Sequence, residues 1–219
     1  MPEAILLLIA AYLIGGIPFS FLLAKLAKGV DLRTVGSGNV GATNASRLFA
    51  KPWSLLAFLA CFALDALKGF LPAYFLGPLL ADGPLAAWSA AERCMVIGLA
   101  AILGHIYTPY LRFRGGKGVA TSFGVFMAAA PWAVIVTGLI GIIVILVSRY
   151  VSLGSVIMAF LLPILVFVHD RGEYVVLALS LVVSFFVVYK HWSNNKRLIS
   201  GQEAKLFTRQ FDMSDDPHL

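Results

Sequence analysis

The segment VATSFGVFMAAAPWAVIVTGLIGIIVILV, from Val119 to Val147, is a predominantly apolar run of 29 residues. A transmembrane helix needs about 20 apolar residues, so this run is long for one span and short for two. Pro131 and Trp132 stand near its middle, where a turn between two short helices would fall. One helix here gives the chain six spans in total, and two helices give seven.

The whole chain has the composition of a polytopic membrane protein. Of its 219 residues, 60% are hydrophobic and 13% are charged, whereas about a quarter of a soluble domain is charged. The net charge of +6 is explained by cytoplasmic loops and lipid head groups, so it does not call for nucleic acid as a partner. Cys61 and Cys94 lie in or beside apolar runs without CxxC spacing, which is typical of packing residues. The other apolar runs lie at about 4–24, 53–80, 94–111, 151–169 and 173–190.

The distribution of charge favours seven spans over six. With seven, nearly all loop Lys and Arg residues lie on the cytoplasmic side, and the opposite loops are mainly acidic. With six, the basic segment from Lys190 to Arg209 would lie outside, against the positive-inside bias. The sequence therefore predicts an all-α bundle of seven transmembrane helices. Its fourth span, 119–130, would be only about 18 Å long, so we expect it to be short or strongly tilted.

The first apolar run is expected to be a spanning helix and not a cleavable signal. No basic residue precedes it, and Lys25 and Lys28 come after it. The N-terminus then lies outside and the C-terminus in the cytoplasm. We expect one transmembrane domain over residues 1–205 and a disordered tail over 206–219.

Seven spans bring three polar clusters to the cytoplasmic face, of which the first is GSGNVGATNASR, Gly36–Arg47. Its glycines allow tight turns that expose backbone N–H groups, and Ser37, Asn39 and Thr43 add hydrogen-bonding side chains. This composition suits an oxyanion such as phosphate. For the cluster taken alone, the alternative is a plain connector between two helices.

The second cluster is GHIYTPYLRFRGGKGVAT, residues 104–121. Its glycines around Lys117 suggest a phosphate-binding loop, but a P-loop would need Gly where Leu111 stands and Ser or Thr where Gly118 stands. The alternative is anchoring of the loop by its basic residues at the membrane surface. His105, near the end of an apolar run, is either a packed histidine or part of the site.

The third cluster is HWSNNKRLISGQE, residues 191–203. His191, Asn194 and Arg197 are spaced three apart and share one face of a helix. They form either a phosphate site with a histidine base or an ordinary helix exit. Asp65 and Lys68 lie inside an apolar run, where ionisable groups face the bundle interior or a polar cavity. They are either a structural ion pair or the floor of the same cleft.

Several kinds of site are missing from the sequence. The clusters contain no paired carboxylates with metal-ligand spacing, which argues against a metal or a magnesium-dependent transferase. They also contain no GxSxG elbow and no Cys/His nucleophile pair. A site rich in anion donors and poor in nucleophiles favours direct transfer between bound phosphorylated substrates, with no cofactor.

The clusters and their flanking segments resemble those of a known family. AYLIGGIPFSFLLAK and VDLR lead into GSGNVGATN, and DALKG at 65–69 and the two later clusters follow in the family's order and spacing. The family is that of the bacterial membrane acyltransferases that use acyl phosphate and glycerol 3-phosphate, the PlsY family. The resemblance implies seven spans in the bacterial inner membrane, with the motifs on the cytoplasmic side.

The resemblance also implies an activity. The fatty acyl group of acyl phosphate would be transferred to the 1-hydroxyl of glycerol 3-phosphate, giving lysophosphatidate and phosphate, the first step of phospholipid synthesis. We expect a monomer that contacts membrane lipids. The catalytic candidates, which would hold the acyl-phosphate group, are Ser37, Lys117, His191 and Asn194. The glycerol 3-phosphate would be held by Thr43, Asn44, Arg47 and Lys68. Further substrate-binding candidates are Gly38, Asn39, Gly41, His105, Arg114, Gly115, Gly116, Gly118, Arg197 and Glu203.

The sequence departs from the family pattern at a few places. Thr108 stands where Pro is usual, Arg114 replaces a common Lys, and Trp192 and Ser193 replace a charged pair. None of the catalytic candidates is affected. Two other classes of function fit the composition: a transporter of a phosphorylated metabolite, which would place its anion site at mid-membrane depth, and a small-molecule binding subunit, which would not need three converging clusters.

Overall fold

A computed structural model of the chain describes residues 2–82, 85–169 and 172–206, and within these ranges every regular element is helical. Of the tail expected to be disordered, only Leu206 is described, and 207–219 lie outside the described residues. The α-helices of the described ranges are α1 Pro2–Gly16, α2 Phe19–Lys28, α3 Ala42–Ser46, α4 Trp53–Leu76, α5 Ala90–Ile106, α6 Val119–Ala129, α7 Pro131–Ser148, α8 Val151–His169, α9 Tyr174–Lys190 and α10 Trp192–Ile199.

Most of these helices are long and apolar enough to lie across a membrane. Within the described ranges, length and composition give five candidate spans, or six if α9 and α10, which are bent by 55° to one another, form one. The all-helical membrane fold is therefore confirmed at this level. The helix α6, with 11 residues, is shorter than an ordinary span. The five candidates are Pro2–Lys28, Trp53–Ala81, Ala90–Leu111, Pro131–Ser148 and Val151–His169.

The run from Val119 to Val147 is two helices, as its central proline predicts. The helix α6 ends at Ala129, Ala130 has φ −146° and ψ 66°, and α7 begins at Pro131. A residue before proline is disfavoured in the α conformation, whereas proline itself fits the first turn of a helix. The turn lies where the local sequence requires it.

Small residues let the helices around the site pack closely. A Cβ on Gly124 of α6 would overlap the carbonyl oxygen of Ala66 in α4, and one on Gly69 of α4 would overlap that of Thr121 in α6. Gly15 makes the same kind of approach between α1 and α5. Such small-residue contacts are typical of helix packing in membranes, and they hold α4 and α6 together beside the second polar cluster.

The second half of the chain forms its own set of packed helices. A Cβ on Gly141 of α7 would overlap Met158 of α8, and one on Gly154 of α8 would approach Ile145 of α7. The helix α8 also packs on α9, and α9 packs on α5. The space between α4 on one side and α7 and α8 on the other is where the polar clusters meet.

Candidate active site

A cavity of about 290 Å³ lies between the three polar clusters. Most of the predicted site residues line it, which confirms that the clusters meet in space. A second cavity of about 220 Å³ adjoins it and shares Ser37, Asn39, Lys117, Asn194 and Arg197 with it. Gly38, Gly115 and Gly116 line the second cavity. The other predicted residues that line the larger cavity are Gly41, Thr43, Asn44, Arg47, His105, Gly118, His191 and Glu203.

The larger cavity has a polar end and an apolar wall. The apolar wall includes Phe58 and Phe62 from α4, Ile145 from α7 and Met158 from α8. These residues are not recognisable from sequence, since a groove-lining position in an apolar helix has the same residue types as a lipid-facing one. The polar lining also includes Ser152, Ser155 and Gln202, which were not among the predicted site residues.

The first cluster is held in shape by the side chain of Asn44, which is buried in the middle of α3. Its Nδ2 donates to the carbonyl oxygens of Leu32, Val35 and Asn39 at 3.2, 3.0 and 3.0 Å, and its Oδ1 accepts from the N–H of Ser37 at 3.2 Å. Asn44 was expected to hold a substrate. Its polar atoms are instead used within the loop, so the geometry favours a role in shaping the site.

Glycine conformations complete the loop. Gly36 and Gly38 have φ of 58° and 68°, values that residues with a Cβ rarely adopt. Ser37 between them is exposed at the point shared by both cavities.

Arg47 follows α3, and its Nη2 lies 3.5 Å from the carbonyl oxygen of Ala204. Burial lowers the pKa of Arg47, although arginine stays charged in proteins.

Lys117 projects from a loop that is fixed to the end of α5. Gly115 N–H donates to the carbonyl oxygen of Ile106, and Gly116 N–H donates to that of His105, both at 3.1 Å. The ammonium of Lys117 donates to Oδ1 of Asn194 at 2.5 Å, which joins the second and third clusters. Burial lowers the pKa of Lys117 to about 8, and the charges of Arg197 and Arg47 act in the same direction.

His191 lies at the bend between α9 and α10 and is buried. Its Nδ1 is 2.8 Å from the carbonyl oxygen of Val187. A carbonyl oxygen can only accept, so Nδ1 carries the hydrogen of this bond, and in the neutral ring Nε2 is the nitrogen with a free lone pair. This arrangement is suited to a base or a phosphate contact at the cavity that His191 lines.

Glu203 connects the third cluster to α8. Its Oε1 accepts from Ser152 Oγ at 2.8 Å and Asn194 Nδ2 at 2.6 Å, and its Oε2 accepts from Arg197 Nε at 2.8 Å. Burial raises the pKa of Glu203, but these hydrogen bonds lower it by more, so the pKa lies below its ordinary value. Glu203 was predicted to bind substrate. Its hydrogen bonds instead fix Asn194 and Arg197, the residues that face the cavities.

Two predicted residues line neither cavity. Arg114 is exposed on the loop before Lys117. Lys68 is buried, and its ammonium lies 2.7 Å from Oδ1 of Asp65 and donates to the carbonyl oxygen of Ile17 at 2.6 Å. Its donors are therefore directed at protein oxygens, which matches the structural ion pair that the sequence left open.

This arrangement agrees with comparisons to known proteins. A family model described as glycerol-3-phosphate acyltransferase matches residues 5–201. The chain belongs to the glycerol-3-phosphate acyltransferase family. Curated glycerol-3-phosphate acyltransferases from Trichlorobacter lovleyi and Geotalea daltonii are 40% and 41% identical to it. The first match covers 89% of this chain and 93% of its relative, and the second covers 93% and 97%.

Solved structures support the same assignment. The acyltransferase superimposes with a TM-score of 0.79 on the crystal structure of PlsY (YgiH), an integral membrane glycerol 3-phosphate acyltransferase, in its glycerol 3-phosphate form. The two chains are 40% identical over 93% of this chain and 95% of that one. The lysophosphatidic acid form of PlsY gives a TM-score of 0.76 with 38% identity over 92% and 94%. The chain is an integral membrane acyltransferase, as its motifs predicted.

Proposed function

We propose that this acyltransferase uses acyl phosphate as its donor and the 1-hydroxyl of glycerol 3-phosphate as its acceptor. The acceptor oxygen forms a bond to the acyl carbon, the bond from that carbon to the phosphate oxygen breaks, and the products are lysophosphatidate and inorganic phosphate. Phosphate is a good leaving group, so positioning and charge neutralisation can supply much of the acceleration. PlsY has been crystallised in glycerol 3-phosphate and lysophosphatidic acid forms, which supports this acceptor and this product.

The observation that carries the donor assignment is the two-ended cavity. Its polar end contains Ser37, Lys117 and Asn194, and its apolar wall contains Phe58 and Met158. A molecule with a phosphate group attached to an acyl chain fits such a lining. Ser37, Lys117, His191 and Asn194 would hold the phosphate, and the chain would lie along the apolar wall.

Glycerol 3-phosphate requires a second anion site beside the first. Thr43 and Arg47 line the larger cavity, and the adjoining cavity is lined by polar and basic residues that include Lys190. Asn44 and Lys68 are left out of this set because their polar groups bond within the protein. The five residues shared by the cavities would bring the two phosphates and the reacting groups together.

The acceptor hydroxyl must lose a proton during the reaction. Two groups can take it: Nε2 of His191, or a phosphate oxygen of the donor itself. His191→Ala separates them at saturating substrates. A large loss of turnover supports the imidazole, whereas near-normal turnover assigns the proton to the phosphate.

The position of the cavity supports the seven-span topology. Lys117 precedes α6 and His191 follows α9, yet both line one cavity. The four helices between them must return to the same face, which needs an even number of crossings and favours α6 as the short fourth span. The positive-inside bias then places the site on the cytoplasmic side of the inner membrane, with the N-terminus outside. We also propose that the enzyme acts as a monomer.

A direct assay tests the donor. Purified protein in detergent is incubated with glycerol 3-phosphate and either palmitoyl phosphate or palmitoyl-CoA, and lysophosphatidate is measured by mass spectrometry. Product is expected only with the acyl phosphate, together with an equal amount of inorganic phosphate. Equal activity with the CoA ester would overturn the donor assignment.

A pair of variants tests the phosphate site. A charge-assisted hydrogen bond contributes about 1.5–3 kcal/mol, so Lys117→Ala should lower kcat/KM about 10- to 100-fold. Lys196→Ala is the matched control, because Lys196 is exposed on α10 and lines neither cavity. Unchanged kinetics in Lys117→Ala would remove this residue from the site.

A further inference from the structure

A buried cluster of Asp65, Lys68 and His105 adjoins the larger cavity, which Asp65 and His105 help to line. Asp65 and Lys68 are on α4 and His105 is on α5, and each is less than 10% exposed. Lys68 Nζ lies 2.7 Å from Oδ1 of Asp65, and Nδ1 of His105 lies 4.0 Å from the same oxygen. Ser20 donates to the other carboxylate oxygen at 3.1 Å. The proposed reaction does not use this cluster.

The cluster is tied to the break between α1 and α2. Pro18 has no N–H group, so the helix is interrupted there. Lys68 donates to the carbonyl oxygen of Ile17 at this break, and its ammonium lies 5.8 Å from the ring centroid of Phe19. The Lys68 ammonium is thus fixed by a carboxylate oxygen of its own helix, from Asp65, and by the carbonyl oxygen of Ile17 at the break. Lys68 could bind a substrate phosphate only if these contacts broke.

The other end of the cluster supports the loop that carries Lys117. His105 accepts from the N–H of Gly116 through its backbone oxygen. Its ring also lies directly against this glycine, because a Cβ on Gly116 would overlap Nε2 of His105. A Cβ on the preceding residue, Gly115, would instead overlap the backbone oxygen of His105. Both glycines allow the loop to lie on His105, one residue before Lys117.

We propose that Asp65, Lys68 and His105 form a positioning network that sets the location of the Gly115–Lys117 loop, and that Lys68 does not bind a substrate phosphate. The inference rests on the proposed phosphate-binding role of Lys117. The ion pair with Lys68 fixes the carboxylate of Asp65, which lies 4.0 Å from Nδ1 of His105. The His105 ring supports Gly116, and the loop then places the Lys117 ammonium beside Asn194.

The overlap at Gly116 gives a suppressor test. Gly116→Ala should displace the loop and lower kcat/KM by about tenfold or more. Adding His105→Ala removes the ring that the new methyl group meets, so the double variant should recover several-fold over Gly116→Ala. Gly115→Ala is the matched control, because it meets backbone and should not be rescued by His105→Ala. If His105 instead contacts substrate, the double variant will be worse than Gly116→Ala alone, and the inference is overturned.

A pH profile separates positioning from a loss of folded protein. In Gly116→Ala, Lys117 should move toward solvent, and the alkaline limb of kcat/KM should shift upward from about pH 8. In the double variant Gly116→Ala/His105→Ala, the alkaline limb should return to about pH 8. A smaller amount of folded enzyme lowers the amplitude without moving the limb, and an unmoved limb in Gly116→Ala overturns the inference.

Charge removal tests Lys68 separately. Lys68→Met leaves Asp65 as an uncompensated buried carboxylate and is expected to be severely impaired. Asp65→Asn combined with Lys68→Met removes both charges and should restore the KM for glycerol 3-phosphate to within about threefold of the wild type. The KM for acyl phosphate should stay raised, because the ion pair that helps to position the Lys117 loop is lost. If Lys68 binds phosphate, the KM of the double variant for glycerol 3-phosphate stays raised by about tenfold or more, as expected for a lost charge-assisted hydrogen bond. In both tests wild-type turnover is measured in parallel, so a failed rescue is distinguishable from the wrong donor or acceptor.

Discussion

At Lys117 the charge proposed to bind phosphate depends on pH within the range of ordinary assays. Burial lowers its pKa to about 8, with Arg197 and Arg47 acting in the same direction and Glu203 opposing them. The ammonium is therefore charged below pH 8 and loses its proton above it. We expect kcat/KM to fall about tenfold per pH unit above this value, since kcat/KM reports the free enzyme. In Lys117→Arg this fall in kcat/KM should be absent up to pH 10, because arginine keeps its charge. A fall that still begins near pH 8 in this variant contradicts the assignment of the charge to Lys117.

Asn44 and Thr43 are neighbours on α3 with different expected roles. Asn44 bonds to three carbonyl oxygens and one N–H group within the loop, whereas Thr43 lines the cavity. Asn44→Ala removes these hydrogen bonds and leaves the buried carbonyl oxygen of Leu32 without this partner, at a cost of about 1–3 kcal/mol. It should lower the melting temperature in detergent and reduce activity. Thr43→Val should raise the KM for glycerol 3-phosphate with the melting temperature unchanged. Equal thermal stability of the two variants would show that Asn44 does not hold the loop.

The sequence predicted which residue types gather at the site better than it predicted their roles. Glycines, donors and cations were recognisable as an anion site from their composition. The roles of Asn44 and Glu203 were not, because a buried amide or carboxylate that bonds to backbone or side chains looks the same in sequence as one that faces a ligand. Lys68 illustrates the same limit, since its partner at Ile17 exists only because of the break at Pro18.

At the scale of elements, Glu203 joins α10 to α8. Its two oxygens accept from three donors on these helices. Glu203→Gln replaces one acceptor oxygen with an NH₂ group that faces the Arg197 guanidinium, so Asn194 and Arg197 lose their fixed positions. We expect kcat/KM to fall by about tenfold or more, because charged hydrogen bonds of about 1.5–3 kcal/mol are lost. Ser152→Ala, which removes one of the three donors, should have a smaller effect in the same assay. Wild-type kinetics in Glu203→Gln would contradict this role.

The contact between α4 and α6 depends on glycine at position 124. A Cβ there would overlap the backbone oxygen of Ala66, whereas a Cβ on Gly138 of α7 would lie 3.2 Å from the ring of Phe123, a side chain that can shift. Overpacking costs about 1–3 kcal/mol. Gly124→Ala should therefore lower the melting temperature in detergent clearly more than Gly138→Ala. Equal decreases in melting temperature in the two variants would indicate that α4 and α6 can move apart without a loss of stability.

At the scale of the whole molecule, the sequence predicted the helices and their approximate ends from apolar runs, Pro131 and the clusters between them. It could not predict the apolar wall of the cavity. Phe58, Phe62, Ile145 and Met158 lie in predominantly apolar helices, so periodicity does not separate a groove from a lipid-facing surface. Only the packing of α4 against α6, and of α8 against α7, leaves these residues on the two sides of one space.

The topology of the whole chain can be tested by the side of the membrane on which two positions lie. Cys61 and Cys94 are free and buried, so their replacement by Ala gives a background for single cysteines at Asp82 and Ser200, both exposed. With α6 as a true span, the chain crosses the membrane five times between positions 82 and 200, through α5 and the four helices α6 to α9. The two positions then lie on opposite sides. An impermeant maleimide added to intact cells should label a cysteine at 82, and label one at 200 only after permeabilisation. If α6 enters and leaves on one side, four crossings remain between them, and both positions are labelled from outside.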